Sequence, residues 1–507
     1  MTDHRIAGIL IPLFSLRSAG DMGRGDIGGL RAMGDLALAM GHRALQLLPI
    51  DETPPGEASP YSAMSVMAID PRYVSIKQLH GVTLDQSTAH ASLDLIELAT
   101  TKLSLLREAY RHFIEHATAK DREAFRNFVD ANHYWLEDYA LFRVISDRFE
   151  HSDWSRWPFG FRQHDPSTME ETRRTHAEEI DFFRFVQFTA HSQWSEAKAN
   201  VNHRGVYLGG DLAFSPSAGS VEVWAHQDVF DLTRTVGAPP DAFSDEGQRW
   251  GLPMPDWSRM RAENFSLLRK RIRRARDLYD FLRVDHVVGL FRTFGFPLGE
   301  KTIGAFDPPA EEAQLAQGEE ILRLIKEEAA PMRIIAEDLG VIPPFVRATM
   351  AKLGIPGYKI ARWERDWSAP DAPFIDPAKY PAVALATTGT HDTDTLAEWW
   401  ETIDEKERHQ FLLAMGVHSE AAAQQATLSE PLLDRILSTL YASPAQLVIM
   451  PLQDLFRWKD RINVPGTVDS TNWRWRLPFD PARATDHPHL RSRIEALHAI
   501  VQRASRL

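Results

Sequence analysis

The chain has 507 residues, of which 44% are apolar, so it can bury the core of one large catalytic domain or of two or three smaller ones. Its net charge of −13, from 57 basic and 70 acidic residues, argues against a nucleic-acid-binding protein, which would carry a basic face. It contains no cysteine, which excludes disulfides, thiolate zinc sites, iron–sulfur clusters and a cysteine nucleophile.

The apolar runs of the chain argue against a membrane protein. None reaches the roughly 18 residues needed to cross a bilayer. The first run, residues 6–11, is too short for a signal peptide, and no small-residue cleavage site follows it. We therefore expect a cytoplasmic protein.

Eight short apolar runs, each bounded by glycine, proline or a polar cluster, are typical of buried strands. Helical patterns lie between most of them, including residues 27–40, 319–328 and 344–353. Eight strands that alternate with helices predict a (β/α)8 barrel, the TIM-barrel fold of the α/β class. The eight runs are residues 7–12, 42–49, 205–211, 281–286, 332–338, 357–363, 382–388 and 446–451.

Two gaps between these runs are too long for simple connections. Residues 50–200 carry apolar side chains three or four apart, which predicts a mainly helical insertion after the second strand. Residues 212–265 are rich in glycine, proline and aspartate, which predicts a loop-rich insertion after the third strand and over the active site. Residues 490–501 predict a closing helix. We expect residues 1–507 to form a single catalytic domain.

Acidic residues follow five of the eight predicted strands, at the end of the barrel where such enzymes place their active sites. Converging carboxylates repel one another unless something uses them, so this pattern indicates a functional site. Two uses are open: binding of a metal ion, or cleavage of a glycosidic bond. The strand-end residues are Asp211, Arg283 with Asp285, Glu337 with Asp338, the run from Thr388 to Asp394, and Gln453 with Asp454.

Arg283 and Asp285 are two residues apart, so on a strand both side chains point to one face. The arginine would keep the carboxylate ionised and fix its orientation, which suits a nucleophile. Taken alone, the pair favours a structural ion pair at a strand end. The acids at the other strand ends favour the catalytic interpretation.

Metal binding has the weaker support. A metal hydrolase of this fold would carry histidines at its strand ends, often as His-x-His after the first strand, but that strand ends in Pro-Leu-Phe-Ser. The one His-x-His, His487 and His489, begins the last predicted helix and suits a solvated cap. Residues 391–394 are compatible with an ion. The glycine-containing stretch 295–302 has the wrong spacing for a phosphate-binding loop.

Cleavage of a glycosidic bond needs one carboxylate to attack the anomeric carbon and one acid to protonate the departing oxygen. The ends of strands four and five would place Asp285 and Glu337 at the separation of a retaining enzyme. Partial burial and nearby acids would raise the pKa of Glu337, which suits a general acid. Asp392, after strand seven, would bind sugar hydroxyls and stabilise the oxocarbenium-like transition state.

Specific motifs occur in a characteristic order along almost the whole chain. They are Ser-Pro-Tyr at 59–61, Trp-Leu-Glu-Asp-Tyr-Ala-Leu-Phe at 135–142, Gly-Asp-Leu at 210–212, Pro-Pro-Asp-Ala-Phe-Ser-Asp-Glu-Gly-Gln-Arg-Trp-Gly at 239–251, Arg-Val-Asp-His at 283–286, Ala-Glu-Asp-Leu-Gly at 336–340, Gly-Thr-His-Asp-Thr-Asp-Thr at 389–395, Asn-Val-Pro-Gly-Thr at 463–467 and Asn-Trp-Arg-Trp-Arg at 472–476. In these motifs the chain resembles the 4-α-glucanotransferases of glycoside hydrolase family 77, the amylomaltases or disproportionating enzymes.

The resemblance implies a role for each matching position. Asp285 would be the nucleophile, Glu337 the acid/base and Asp392 the residue that stabilises the transition state. Gln248 and Trp250 would lie on a loop that arches over the acceptor side. The other substrate-binding residues would be Arg283, His391, Asp211, Tyr61, Ser59 and Asn463.

Four stretches depart from the family's usual sequence. Residues 51–58 lack a glycine-rich loop, residues 305–309 lack the usual tyrosines, and residues 455–459 replace a glycine-rich segment. Strand two carries Ala44-Leu-Gln46 where Trp-Gln is common. These changes leave the three carboxylates intact but affect the glucan subsites, so the preferred chain length and product size are not predicted.

The sequence therefore predicts a retaining 4-α-glucanotransferase. It would cleave α-1,4-glucans through a covalent glucosyl-enzyme and transfer the glucan to the 4-hydroxyl of glucose or of another glucan. The alternatives are an α-1,4-glucan hydrolase with little transfer, and a glucan-binding protein with a silent site. No cofactor is implied, because the chemistry is acid–base and covalent, and no metal is expected. The net charge and the short apolar runs imply no nucleic-acid or membrane partner. The oligomeric state cannot be read from the sequence.

Overall fold

The computed structural model describes residues 5–83, 92–240, 246–299, 304–467 and 469–506. Its strands are β1 (Ile6–Leu10), β2 (Ala44–Gln46), β3 (Asp51–Glu52), β4 (Ser65–Ile69), β5 (Tyr207–Leu212), β6 (Phe230–Ala238), β7 (Gln248–Pro255), β8 (Phe281–Val284), β9 (Thr293–Pro297), β10 (Ala305–Asp307), β11 (Arg333–Ala336), β12 (Gly357–Ile360), β13 (Ala384–Thr387) and β14 (Leu447–Pro451).

Eight of these strands form one parallel sheet in the order β11-β8-β5-β2-β1-β14-β13-β12. The amide of Ala336 in β11 donates to the carbonyl of Pro356, the residue before β12, so the sheet closes into a barrel. Every residue of β1, β13 and β14 is buried, because helices cover the outside and side chains fill the inside. The predicted (β/α)8 barrel is confirmed with all eight strands, each shorter than the apolar run that predicted it.

Helices fill most of the chain between β4 and β5, as predicted. Ala119–Phe149 and Ala177–His203 pack their aromatic stripes together, with the rings of Phe128 and Phe188 centred 5.7 Å apart. No helix within the described ranges is long and apolar enough to cross a membrane. The α-helices are Leu30–Ala39, Leu95–His116, Ala119–Phe149, Phe159–Arg162, Pro166–Thr175, Ala177–His203, Val221–Ala225, Trp257–Ala262, Ser266–Leu278, Val288–Phe291, Glu311–Ala329, Pro344–Leu353, Leu396–Thr402, Glu405–Ala414, Glu420–Ala423, Glu430–Ala442, Leu452–Leu455 and Pro488–Arg503.

The segment after β5 contains more regular structure than its composition indicates. β6 and β7 pair antiparallel and join β9 and β10 in a second sheet, ordered β10-β9-β6-β7. This sheet carries Gln248 and Trp250, both in β7, above the carboxyl end of the barrel. Residues 241–245 of the predicted 239–251 motif, and residues 300–302 of the rejected phosphate loop, lie outside the described residues.

Two arginines near the ends of the described chain bind the same backbone carbonyls. Arg5 donates to the carbonyls of Tyr441 and Ser443 at 3.0 and 2.7 Å. Arg506 donates to the same two at 2.6 and 2.7 Å. These carbonyls end the helix Glu430–Ala442 and lack partners within it. They precede β14, so both arginines lie at the amino-terminal end of the barrel.

Candidate active site

The candidate site lies at the carboxyl ends of β5, β8, β11 and β13. In the strand register Asp211 is opposite Arg283, and Val284 is opposite Ala336. Asp285 and Glu337 therefore follow directly opposed residues on neighbouring strands. Neighbouring strands lie about 4.8 Å apart, which matches the roughly 5–5.5 Å between the carboxyl groups of retaining glycosidases.

Arg283 holds two carboxylates at once. Its Nη1 lies 2.8 and 2.7 Å from the two carboxylate oxygens of Asp211 and 2.7 Å from Oδ1 of Asp285. The hydroxyl of Tyr61 also donates to Asp211, at 2.8 Å. Burial raises the pKa of Asp211, and Arg283 opposes that shift. Because Asp285 keeps 25% of its side chain exposed, its carboxylate is both oriented and accessible.

Glu337 is almost fully buried, and backbone amides fix both of its oxygens. The amide of His286 donates to Oε2 and that of Leu339 to Oε1, each at 2.9 Å. Burial raises the pKa of Glu337 to about 7; Arg283 lowers it and Asp285 raises it further. The expected upward shift is confirmed, and at neutral pH this carboxyl group can both donate and accept a proton.

His286 links the acid/base candidate to the second sheet. Its backbone is left-handed, with φ of 48°, and this unusual conformation accompanies the hydrogen bond from its amide to Glu337. Its ring packs edge-on against Trp250, with ring centres 4.8 Å apart. Burial lowers the pKa of His286 to about 4, so the ring is neutral. The sequence contained His286 in the Arg-Val-Asp-His motif but gave it no role.

Asp392 has a polar partner on each oxygen. His391 Nε2 lies 3.2 Å from Oδ2, and the side-chain amide of Asn463 donates to Oδ1 at 2.7 Å. Burial would raise the pKa of Asp392, but His391, Asn463 and Arg283 together lower it to about 2. This carboxylate is therefore ionised at any working pH, as stabilisation of a positive transition state requires. The structure places Asn463, predicted to bind substrate, on this carboxylate.

Two of the strand-end acids brace the backbone and do not join the central cluster. Asp454 accepts from the Thr388 hydroxyl at 2.5 Å and from the Leu396 amide at 2.6 Å, at the two ends of the loop that carries Asp392. Asp338 accepts from the Tyr358 amide at 2.7 Å. Since successive side chains on a strand point to opposite faces, Glu337 faces the site and Asp338 faces away.

Three rings form an aromatic wall beside these carboxylates. Tyr61 stacks on His391, with ring centres 5.3 Å apart and planes 19° apart. Trp473 lies 5.8 Å from each of them. Its backbone is left-handed, with φ of 62°, which is unusual for a bulky residue and common at functional sites. Sequence reasoning did not single out Trp473, because only folding brings residues 61, 391 and 473 together.

Ser59 and Gln248 contact the aromatic residues predicted to bind sugar. The Ser59 hydroxyl accepts from the Tyr61 amide at 3.3 Å and so shapes the turn that presents this ring. The side-chain oxygen Oε1 of Gln248 accepts from the indole N–H of Trp250 at 3.1 Å. The described residues contain no group of three or more histidine and acidic side chains arranged to hold a metal ion.

A (β/α)8 barrel with a carboxylate pair on adjacent strand ends is the arrangement of a class of enzymes that act on glycosidic bonds. Comparison with known proteins gives the particular family. The chain belongs to the 4-alpha-glucanotransferase family, whose model matches residues 11–481. The resemblance found in the sequence motifs is thereby confirmed.

Named relatives and a solved structure support the same family. The chain is 32% identical over 492 residues to the 4-alpha-glucanotransferase of Chlamydia pneumoniae, covering 93% of this chain and 91% of the relative. It is 33% identical over 456 residues to that of Thermus thermophilus, covering 86% and 88%. The amylomaltase of Streptococcus agalactiae, solved in complex with acarbose, is 26% identical with a TM-score of 0.84, and the match covers 98% of this chain and 99% of that one.

Proposed function

We propose that this enzyme disproportionates α-1,4-glucans by a retaining mechanism in which Asp285 is the nucleophile and Glu337 the acid/base. The observation that supports the proposal is the pairing of β8 with β11, in which Val284 and Ala336, the residues before these two carboxylates, lie opposite each other. Membership of the 4-alpha-glucanotransferase family supports the substrate class. We also expect residues 1–507 to act as one catalytic domain in the cytoplasm.

In the first step Asp285 attacks C1 of the glucose to be transferred. The bond from C1 to the glycosidic oxygen breaks, and Glu337 gives its proton to that oxygen as the shortened glucan leaves. A β-linked glucosyl ester of Asp285 remains. Asp392, ionised, stabilises the positive charge that develops on the sugar ring, and Arg283 keeps Asp285 oriented for attack.

In the second step Glu337, now ionised, removes the proton from the 4-hydroxyl of an acceptor glucan. The acceptor oxygen attacks C1, the ester bond breaks, and Asp285 leaves as a carboxylate. Two inversions restore the α-linkage. Because the pKa of Glu337 is about 7, both of its protonation states are well populated at neutral pH, as the two steps require in turn.

The remaining site residues are proposed to bind the sugars. Tyr61 and His391, stacked together, would hold the glucose being cleaved, with Asp211 beside them. Trp250, with Gln248, would hold the acceptor and keep water from the ester. Transfer then prevails over hydrolysis because the acceptor occupies the place that water would need.

Two further residues are proposed to position the sugar-binding groups. Asn463 would orient Asp392 through its amide, in addition to the substrate contact expected from the sequence. Ser59 would act through the turn that carries Tyr61. The first role rests on the hydrogen bond from Asn463 to the Asp392 carboxylate, and the second on the hydrogen bond from the Tyr61 amide to the Ser59 hydroxyl.

The proposal is tested by incubating the purified enzyme with maltotriose and resolving the products by length over time. Glucose with a ladder of longer maltooligosaccharides is the expected result. Glucose and maltose without longer products would instead establish the hydrolase alternative. Binding of maltooligosaccharides with no turnover, on maltotriose or on longer glucans, would establish the silent binding protein.

Two variants separate the proposed roles. Asp285→Ala should abolish turnover of both maltotriose and α-maltotriosyl fluoride. Glu337→Ala should lose about 10²–10⁴-fold on maltotriose but retain glycosylation by the fluoride, whose leaving group needs no proton. If Glu337→Ala loses the same factor on both substrates, Glu337 is not the acid. If Asp285→Ala still turns over either substrate, Asp285 is not the nucleophile.

A further inference from the structure

We propose that Arg461 is a positioning residue for Asp392, which it holds through Asp394 and through the backbone. Two loops meet at this point. The first, residues 388–395, follows β13 and is called the β13 loop. The second, residues 459–467, follows β14 and the short helix Leu452–Leu455 and is called the β14 loop. The inference rests on the proposed function, because it names the residue that keeps the transition-state carboxylate in place.

Arg461 binds the β13 loop at two points. Its Nη1 donates to Oδ1 of Asp394 at 2.6 Å, and its Nη2 donates to the backbone carbonyl of Asp392 at 3.2 Å. The guanidinium is a rigid, planar fork, so two contacts of this kind fix both the direction and the distance of the groups that accept them. Since the second contact is to Asp392 itself, Arg461 sets the position of the backbone that carries the carboxylate.

A second arginine holds the same loop from the protein interior. Arg362 is buried, and it donates to the carbonyls of Thr388 and Asp394, each at 2.9 Å. Gly389 leaves little room for movement on this side, because a Cβ there would lie 3.2 Å from Arg362 Nη2. Arg461 keeps 21% of its side chain exposed and holds the loop from the solvent side. The β13 loop is therefore clamped between a buried arginine and an accessible one.

Hydrogen bonds within the β13 loop connect Asp394 to Asp392. The amide of Thr390 donates to Oγ1 of Thr393 at 3.0 Å, and that hydroxyl donates back to the carbonyl of Thr390 at 3.1 Å. The amide of Asp392 donates to Oγ1 of Thr390 at 3.2 Å. Residues 390–394 therefore form one compact turn, in which the position of Asp394 determines that of Asp392.

The β14 loop carries a second partner of the same carboxylate. Asn463, two residues after Arg461, donates its side-chain amide to Oδ1 of Asp392 at 2.7 Å. The amide of Trp473 donates to the carbonyl of Ile462, which lies between them in the chain, at 2.8 Å. Ile462 is buried. Arg461 thus fixes the start of a segment whose next residues orient Asp392 and support the aromatic wall.

Arg461 acts on Asp392 by geometry, not by its charge. That charge is paired with the carboxylate of Asp394. Burial raises the pKa of Asp392, and His391 contributes most to lowering it. A lysine ammonium is a compact point charge without the planar fork, so it cannot hold a carboxylate and a neighbouring carbonyl in one plane. Arg461→Lys should therefore restore only part of the activity that Arg461→Ala loses.

The test measures kcat and KM on maltotriose and on α-maltotriosyl fluoride for Arg461→Ala, Arg461→Lys and Asp394→Ala. We expect kcat to fall about tenfold in Arg461→Ala, equivalent to roughly 1.4 kcal/mol. KM should change less than about twofold, because Asp392 acts in the transition state. The loss should be equal on the two substrates, since both pass through an oxocarbenium-like state. The double variant should lose about as much as Arg461→Ala alone, because the two residues act through one contact.

Guanidinium ion provides a readout that a loss of folding would not change. At millimolar concentrations it should raise kcat of Arg461→Ala by binding beside Asp394, and it should not raise kcat of the double variant, which lacks that carboxylate. Lys459→Ala is the matched control. It removes a cation from the same loop, whose exposed ion pair with Glu401 measures 2.7 Å, and it should leave kcat at the parent value.

Three outcomes would overturn the inference. They are an unchanged kcat in Arg461→Ala, the same loss in Lys459→Ala, and a loss in Arg461→Ala that guanidinium does not reverse. If Arg461→Ala does not fold, Arg461→Lys carries the test, and a kcat equal to that of the parent would overturn the inference.

Failure of the proposed function gives different results. Asp392→Asn would then keep the parent kcat, or the parent would release glucose and maltose without longer products. In the second case the comparison of kcat values still tests Arg461, because hydrolysis and transfer pass through the same kind of transition state.

Discussion

Alkaline pH should inactivate this enzyme through Glu337. Burial raises the pKa of Glu337 from an ordinary value of 4.5 to about 7, and at 1.36 kcal/mol per unit this is roughly 3 kcal/mol against its ionised form. The first step of the proposed mechanism needs Glu337 in its protonated form. kcat/KM on maltotriose should therefore fall tenfold per pH unit above the midpoint, about 30-fold from the plateau by pH 8.5.

The same shift predicts the sign of a stability change. The folded state holds the Glu337 proton more strongly than the unfolded state, so the free energy of unfolding falls as pH rises from about 4.5 to about 7. Glu337→Gln removes the ionisable group and with it this pH-dependent fall in the free energy of unfolding. The variant should raise Tm relative to the parent at pH 8 and should change Tm little at pH 4.5. Substitution of an exposed carboxyl group, Glu312→Gln, should leave Tm unchanged at both pH values.

The assays are initial rates on maltotriose from pH 5 to 9 and thermal unfolding of the three proteins at the two pH values. A kcat/KM that stays flat to pH 9 would refute the assignment of the acid to Glu337. If Glu337→Gln raises Tm over the parent by the same amount at both pH values, the stabilisation does not come from removing a buried ionisable carboxyl group.

Three further substitutions test other parts of the structure. Arg283→Gln should cost about 3–5 kcal/mol of folding free energy in urea unfolding, because it leaves the buried Asp211 without its charged partner, and Asp211→Asn in the same chain should restore part of that loss. Arg506→Ala should cost about 3 kcal/mol by removing charged hydrogen bonds to buried carbonyls, whereas exposed Arg503→Ala should cost nothing measurable. Trp473→Ala should raise KM for maltotriose about fivefold with a smaller change in kcat, and an unchanged KM would place this ring outside the substrate path.

The barrel could be predicted from the sequence because its strands are buried on both faces. Such strands are continuous apolar runs, and each of the eight runs ended near the true strand end. The second sheet could not be predicted in the same way. In β6 the consecutive exposed or half-exposed residues Asp231, Leu232, Thr233 and Arg234 interrupt any alternation, and the register with β7 contains irregularities. Its pairing depends on contacts with β9 that lie far along the chain.

The part of the candidate site that lies at the ends of barrel strands could be predicted from the sequence. Asp285 and Glu337 stand at strand ends, so their placement followed from the fold, and the upward pKa shift of Glu337 followed from an apolar strand. The partner of Asn463 was not predictable, because its contact with Asp392 joins two loops 71 residues apart in the chain. The left-handed backbones of His286 and Trp473 also escape sequence reasoning, since only a few per cent of non-glycine residues adopt that conformation.

The shared carbonyl anchor of Arg5 and Arg506 has a practical consequence. Both residues lie at the amino-terminal end of the barrel, and the carboxylates lie at the opposite end. A tag, a bead or a fused protein attached next to Arg5 or next to Arg506 is therefore joined to the barrel at the end opposite the mouth of the site. Enzyme immobilised in this way on a solid support keeps the open end of the barrel away from that support.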